Sequence, residues 1–409
     1  MLVCDAYKTF THGTHRAYSP ERTYAAVQPF MAAMGITRVA GLTGLDRTGV
    51  PVYMASRPNS RSLAVTQGKG LSDAAARTSA LMEAVESWHA EQAPRELLYG
   101  NETSLHAQRP LPGVALALCK NSPYHEYLDL NWVRAIDLND GGERLVPFEL
   151  VHSDFTMPGP DPVACFSAST NGLASGNSIA EAAIHAVCEL IERDATTLWH
   201  LRQAPARSAV SIKLASVDDP DCVDLLARFD DAGLDVVVWD VSTDINVACF
   251  HALIVDRHEV GGIPEFGSGC HPSRAIALTR ALTEAAQART TYIAGARDDF
   301  DPRWYDASTR KRRWRACHQL FLGAAAKRHF HAAPDVYHDN FDTELEWLTV
   351  QLSRAGISEL AYVDLSCAEF GTAVVRVVAA GLEGPLTGAL ADYVHGTRGA
   401  PLRRAGTAR

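Results

Sequence analysis

No apolar run in the 409 residues approaches the roughly 20 needed to cross a bilayer, and the opening MLVCDAYKTF lacks a basic segment leading into an apolar one. Neither a membrane span nor a secretory signal is therefore expected. Cysteine is sparse and unpatterned: nine residues, an odd number without a C-x-x-C pair, read as scattered core thiols in a reducing cytoplasm and argue against a structural zinc site. Positive charge is in deficit. A formal net charge of −10 disfavours a nucleic-acid backbone as the main partner. No Gly/Ser-rich or Pro-rich linker and no long charge run divides the chain, so one large α/β domain is expected, with at most a small appended lobe. Two signatures are missing as well: no G-x-x-x-x-G-K-[ST] phosphate loop and no H-E-x-x-H helix occurs.

What remains is a soluble globular composition, 47% hydrophobic and 21% charged. Its most telling stretch is SIAEAAIHAVCELIER, residues 178–193, which reads as one helix. Glu181, His185, Glu189 and Glu192 fall on one side of it, and small and aliphatic residues take most of the rest. Carboxylates gathered on one face of a largely buried helix repel each other and call for a cation. A structural reading competes, because Ser178 and Glu181 have the S-x-x-E form of a capping box and Glu189 can pair with Arg193 at i+4. Recurrence favours the functional reading. Counting from Ser72, Glu83 and Glu86 lie at +11 and +14; from Ser178, Glu189 and Glu192 do; from Ser273, Glu284 and Gln287 do. Each copy opens on a helix-capping serine behind a Gly- or Pro-containing loop. Three such helices would bring acidic and amide groups to one centre.

In chain order the segment THGTHR reads as a solvated arm, with a loop delivering Arg16 or His15 to a site as the alternative. Ser19 and Pro20 open a helix expected to run to about Met34, where Gly35 ends it. Residues 36–42 and 50–56 form a predicted hairpin and 62–66 a further strand. The QGKG that follows is read as a glycine loop with Lys69, able to approach an anion. Strands are expected at 132–137, 145–147, 234–241, 248–255, 361–365 and 372–378, a helix at 223–232, and a turn-rich connector at PGPDP (158–162); FGSGCHP returns the chain to the third repeated helix, with GCHP as the loop before it. The basic run Lys311-Arg312-Arg313 reads as a solvated loop. Cys188 reads as an inert packed thiol, His89 as structural or supporting and Trp88 as core.

Taken together, the motifs resemble the YcaO family. QGKG is followed by Ser79, Glu83 and Glu86 in S-x-x-x-E-x-x-E, STNGLASGN by Glu189, Glu192 and Arg193 in E-x-x-E-R, and the third copy places Arg280, Glu284, Gln287 and Arg289 in R-A-L-x-E-x-x-Q-x-R. With THR, GITRVAGLTGLD and GLEGP, the likeness spans about residues 11–385, leaving 386–409 as a short tail within a single domain over 1–409. It is nearest to stand-alone members, some of which act beside a TfuA-type partner. The resemblance implies a YcaO-type α/β (α+β) fold with mixed sheets and three acidic helices converging on a nucleotide site. It implies ATP- and Mg2+-dependent phosphorylation of a peptide backbone amide oxygen. Glu83, Glu86, Glu189 and Glu192 would hold Mg2+. Lys69, Ser79, Asn177, Glu181, Arg193, Glu284 and Gln287 would bind the nucleotide. Arg193, Arg280 and Arg289 would act on its phosphate oxygens.

The substrate implied is a ribosomally made precursor peptide. Cyclodehydration of Cys, Ser or Thr to an azoline is the leading outcome; thioamidation with a TfuA-type partner, or macroamidine formation, shares the same activation step. The chain ends in GAPLRRAGTAR, whereas many azoline-forming members end in a proline-rich tail. Nothing before residue 10 leaves room for a fused leader-binding module, so a separate partner or direct core-peptide binding is expected. A homo-oligomer is left open. The other classes weighed are a non-catalytic accessory protein and a metal-dependent hydrolase, and only the hydrolase would act without nucleotide.

Overall fold

The computed structural model describes residues 7–407 apart from 95, 158, 161, 162 and 386–392. Part of the PGPDP connector therefore lies outside the described residues. α1 (Pro20–Val27) starts as expected, with the Ser19 hydroxyl accepting from the Arg22 N–H. It is shorter than expected. Pro29 has no N–H to continue the ladder, and the chain passes into a 3-10 turn at Gln28–Phe30 before Gly35 at φ +68°. β1 (Arg38–Gly41), β2 (Val52–Ser56) and β3 (Val65–Lys69) form a three-stranded antiparallel sheet that leads into α2 (Asp73–Glu91).

β4 (Leu98–Gly100), β5 (Leu130–Asp137), β6 (Glu143–Pro147) and β7 (Leu173–Gly176) belong to a second, six-stranded sheet, and β7 leads into α3 (Ile179–Leu201). After the short α4 (Ala204–Ala209) comes α5 (Pro220–Asp231). β8 (Leu234–Asp240), β9 (Ala248–Asp256) and β10 (Glu265–His271) make the third sheet and deliver α6 (Arg274–Ala294). The FGSGCHP stretch is thus mostly strand. α7 (Ala307–Gly323), α8 (Phe341–Arg354), β11 (Leu360–Asp364), β12 (Ala373–Ala379) and α9 (Ala400–Thr407) complete the chain; β11 and β12 lie between β5 and β7. The α/β class is the expected one. Every pairing between named strands is antiparallel; among the described residues parallel contact is confined to isolated bridges such as Pro110–Leu145.

Two expectations need correcting. Gln67, Gly68 and Lys69 do not form a loop but lie in β3. The Lys311-Arg312-Arg313 run is not a loop either: it sits in α7, whose Trp314 and Cys317 pack inward.

The three repeats survive as three units in which a strand is followed by a helix lying on it: β3–α2, β7–α3 and β10–α6. Each helix anchors its own apolar cluster, through Leu81 and Val85, Val187 and Ile191, and Leu278 and Leu282 respectively. Glycine permits the contact. A Cβ on Gly68 would lie 2.0 Å from the Ala80 backbone nitrogen, one on Gly176 2.7 Å from that of Ala182, and one on Gly267 2.2 Å from that of Ala285. The helix backbone therefore rests directly on the strand, as sterics allow only where no side chain intervenes. Gly68→Ala is expected to cost at least about 2 kcal/mol in denaturant unfolding through overpacking. Gly44→Ala, with nothing within 4 Å of its would-be Cβ, should be nearly neutral; equal losses in both would refute the close-contact account.

Candidate functional site

One cavity of about 1280 Å³ opens among the three repeated helices. Lys69, Ser79, Glu83, Glu86, Asn177, Glu181, Glu189, Glu192, Arg193, Arg280, Glu284 and Gln287 all line it. Helical spacing placed these groups on one face of each helix, and strand–helix packing turns those faces toward each other. The repeat is visible in the hydrogen bonds too. In each unit the glutamate at +11 accepts an N–H from its own strand or the turn just before it: Gln67 to Glu83 at 3.2 Å, Gly172 to Glu189 at 3.2 Å, and Ser268 to Glu284 at 3.3 Å. The donor at 172 depends on glycine, since φ is +81° and a Cβ would sit 2.2 Å from the Val377 carbonyl oxygen.

The carboxylates are crowded and poorly solvated. Burial pushes Glu83 up to about 7, against the opposing pull of Lys69 and Arg297. Glu86 rises to about 8, chiefly through burial, although the Ser175 N–H (2.8 Å) and hydroxyl (2.6 Å) both donate to it. Burial raises Glu192 as well, with Arg193 at 3.4 Å working the other way. For Glu284 burial is outweighed by cations, Lys69 at 2.6 Å foremost, and its carboxyl stays well below the usual range. Four hard oxygen donors, Glu83, Glu86, Glu189 and Glu192, fit a divalent cation, whose charge would relieve this crowding. No three of them bring ligand oxygens within 4.8 Å of each other. They therefore suit an ion that keeps water or phosphate oxygens, as Mg2+ does, better than a closed protein cage.

At the amino-terminal end of α3, Glu181 accepts from Arg16 (3.2 Å), the Ala17 N–H (2.9 Å) and the Asn177 amide (3.1 Å); the Thr23 hydroxyl donates to Asn177 (2.9 Å). The capping box is half made. Ser178 caps the Glu181 N–H, but the Glu181 carboxylate turns to the arm instead. Residues 11–16 are thus not a solvated arm: they deliver Arg16 to the cavity and bury His15 against His271, with ring centroids 5.0 Å apart. His15, His271 and Glu344 bring ligand atoms within 4.8 Å of one another. They make a poor metal site, because the Lys8 ammonium already binds Glu344 and His271 Nδ1 faces the Ser273 N–H at 2.9 Å. Ser273 itself makes no side-chain cap, so the capping serine holds for two repeats only.

Arg289 does not reach the cavity. It is 3% exposed and spans Asp46 (3.0 Å) and Asp256 (2.8 Å), bracing α6 against the β1–β2 connection and the third sheet. Two carboxylates in an apolar setting hold the guanidinium more strongly than an open cleft would. Sequence reasoning put His185 on the polar face of its helix without a role and missed Arg376 altogether. His185 Nε2 lies 3.1 Å from Arg280, and burial followed by the Arg280 charge keeps the ring neutral, so that Nε2 accepts and fixes the guanidinium. Arg376, in the otherwise apolar strand AVVRVVA, donates to the Ser169 (2.6 Å) and Asn171 (2.9 Å) carbonyls, and the Glu189 charge acts on it. Burial lowers it to about 10. An isolated arginine in an apolar strand was its one visible signal. Trp88 packs on the core beside His89, whose Nδ1 lies 2.8 Å from the Val85 carbonyl, so both are structural. Cys188 is buried with its pKa raised well above the usual, and the eight described cysteines are thiols rather than disulfides. No described helix is long and apolar enough to cross a membrane.

The chain is similar to several known proteins. Residues 67–383 match the family described as YcaO cyclodehydratase, ATP- and Mg2+-binding. A Rhizobium leguminosarum protein described only as lying in the tfuA 3′ region is 36% identical over 388 residues, 91% of this chain and 90% of its own length. A protein of Methanothermobacter thermautotrophicus without assigned function is 32% identical over 375 residues, 90% of this chain and 95% of its own. Among solved structures, YcaO from Methanopyrus kandleri bound with AMPPCP and Mg2+ superposes with a TM-score of 0.72 at 20% identity, over 92% of this chain and 95% of that one. A heterocyclase in complex with substrate and cofactor gives 0.77 at 20% identity over 94% of this chain, which spans about half (54%) of that protein.

Two outcomes follow from the geometry. Arg289→Ala leaves Asp46 and Asp256 buried without their main cation and should cost about 3–5 kcal/mol in denaturant unfolding, an effect absent if the arginine is dispensable to folding. Glu83 and Glu86 titrate near 7 and 8 when folded, against 4.5 ordinarily. The folded, metal-free chain then binds more protons than the unfolded one across that window, so its melting temperature should fall as pH rises from about 4.5 to 8. Glu86→Gln should flatten the fall, and Mg2+ should restore stability most at the upper end, where the carboxylates are free to bind it. A level profile in the wild type would contradict the raised carboxyls.

Proposed function

The chain belongs to the YcaO family, and from that premise we propose that it activates a backbone amide of a ribosomally made peptide by phosphorylating the amide oxygen. ATP bound with Mg2+ supplies the phosphoryl group that turns this oxygen into a leaving group. A Cys, Ser or Thr side chain of the peptide then attacks the carbonyl carbon and gives up its S–H or O–H proton, phosphate departs with the former amide oxygen, and loss of the amide proton leaves an azoline ring. The observation that carries the reading is the convergence of Glu83, Glu86, Glu189 and Glu192 from two repeats on one cavity that also holds Lys69, Arg193 and Arg280.

In this reading the four glutamates hold the metal and the three cations neutralise phosphate oxygens, as a phosphoryl in transit requires positioning and charge more than covalent help. Asn177 and Glu181 serve the nucleotide at the amino-terminal end of α3, Ser79 serves it from α2, and Glu284 with Gln287 completes the third side. Glu284 keeps the Lys69 ammonium pointed into the cavity. His185 holds Arg280 in place from the opposite wall.

The relative from the tfuA 3′ region favours a second reading. In that reading a TfuA-type partner delivers sulfide to the same activated amide and the product is a thioamide; an amine of the same peptide would give an amidine. Each begins with the same activation, so the site residues serve all three.

With Mg2+, ATP and a substrate peptide, Glu83→Gln and Glu189→Gln are each expected to lower ATP turnover by at least roughly a hundredfold while the proteins stay folded. Heavy oxygen placed in the peptide amide should appear in the released phosphate. Label retained in the peptide, or turnover untouched by both substitutions, would remove amide phosphorylation as the activity. Product mass separates the readings, by loss of water for a ring and exchange of oxygen for sulfur for a thioamide.

A further inference from the structure

The cavity is longer than the carboxylate cluster. It follows α6 from Arg280 to Tyr292, twelve residues or about 18 Å of helix, and continues onto a ledge built by residues 292–316. The two ends differ in chemistry. Beside Arg280 lie Arg16, Asn177 and Glu181, tied to one another by hydrogen bonds. The ledge instead presents aromatic faces and guanidinium groups. Phe300 lies between Trp304, with ring centroids 5.1 Å apart, and the Arg297 guanidinium, 5.4 Å from the Phe300 ring. Trp304 remains 43% exposed at the mouth of the cavity.

Two of the ledge arginines are already neutralised. Arg297 forks onto Asp299 (2.8 and 2.6 Å), and Arg313 binds the buried Glu265 at 2.6 Å. Arg312 is different: it lines the cavity, is exposed, and has no hydrogen-bond or ion-pair partner among the described residues. It stands in the run RKRRWR of a chain whose net charge is −10. An unpaired guanidinium lining the same cavity as partly exposed aromatic rings is complementary to a carboxylate flanked by an apolar ring or chain. The ledge also meets the reacting end of the cavity, since the Arg297 charge acts on Glu83.

We propose that this ledge is the subsite for the substrate peptide, and that it selects a segment in which an acidic residue neighbours an aromatic or aliphatic one, close to the amide that is modified. The acidic side chain pairs with Arg312, and its apolar neighbour packs on Trp304 and Phe300. This rests on the peptide-activation reading above and adds to it the class of sequence accepted.

The test is affinity selection of a random displayed peptide library on the full chain with Mg2+ and a non-hydrolysable ATP analogue, followed by binding of acetylated, amidated synthetic copies of the winners. Nucleotide affinity is measured on the same preparations. Enrichment of Asp or Glu beside aromatic or aliphatic residues is expected. Arg312→Glu should weaken the winners roughly tenfold and shift the enrichment toward Lys and Arg, and Trp304→Ala should weaken them without changing the charge preference. Both positions are exposed, so neither change threatens the fold. No enrichment, enrichment without acidic residues, or a preference unchanged by Arg312→Glu would overturn the assignment of the ledge. Loss of nucleotide binding by the wild type would instead strike at the amide-activation reading, which keeps the two failures apart.

Discussion

Direct contact between helix backbone and strand backbone is the constraint from which the site follows. At Gly68, Gly176 and Gly267 no side chain separates the two layers, so each repeated helix sits close enough for a strand-side N–H to reach its glutamate. The same contact explains the recurring bond to Glu83, Glu189 and Glu284. A side chain at any of these glycines would lift the helix and withdraw its carboxylate. Packing and chemistry thus share one set of residues, which is why neither the purely structural nor the purely functional reading of the glutamates is adequate alone.

Holding several carboxylates in a poorly solvated cavity is costly unless charge is returned to them. The protein does this unevenly. Lys69 from the first repeat serves Glu284 of the third, Arg16 from the amino-terminal segment serves Glu181, and Arg193 lies between Glu189 and Glu192. Glu83 and Glu86 get less, with hydrogen bonds and distant cations only, and their carboxyls rise accordingly. The repeats are therefore equivalent in backbone and unequal in electrostatics. That inequality gives one part of the cavity an affinity for a cation and leaves another part already balanced.

Repetition of spacing made most of the cavity legible before any coordinates: Glu83, Glu86, Glu189, Glu192 and Glu284 are on its wall, as the helical positions implied. The misreadings share a cause. Arg289 fits the same motif as Arg280, but one side of α6 meets the cavity and another meets Asp46 and Asp256. QGKG has the composition of a phosphate loop, yet its glycine serves strand–helix contact. The arm at residues 11–16 and the basic run at 311–313 look solvated because polarity alone does not reveal a partner 165 or 48 residues away.

The sequence by itself determined what local geometry encodes: that the three repeats are helical, which of their residues share a helix face, where small residues permit close approach, and the three-fold recurrence that carries the family resemblance. These follow from periods of 3.6 and 2, which act between neighbours in the chain. Only the tertiary structure decided which charges meet. Lys69 with Glu284, Arg16 with Glu181, His185 with Arg280 and Arg376 with the Ser169 and Asn171 carbonyls are contacts between distant segments. Their strength depends on burial, and burial is a property of the assembled layers rather than of any stretch of chain.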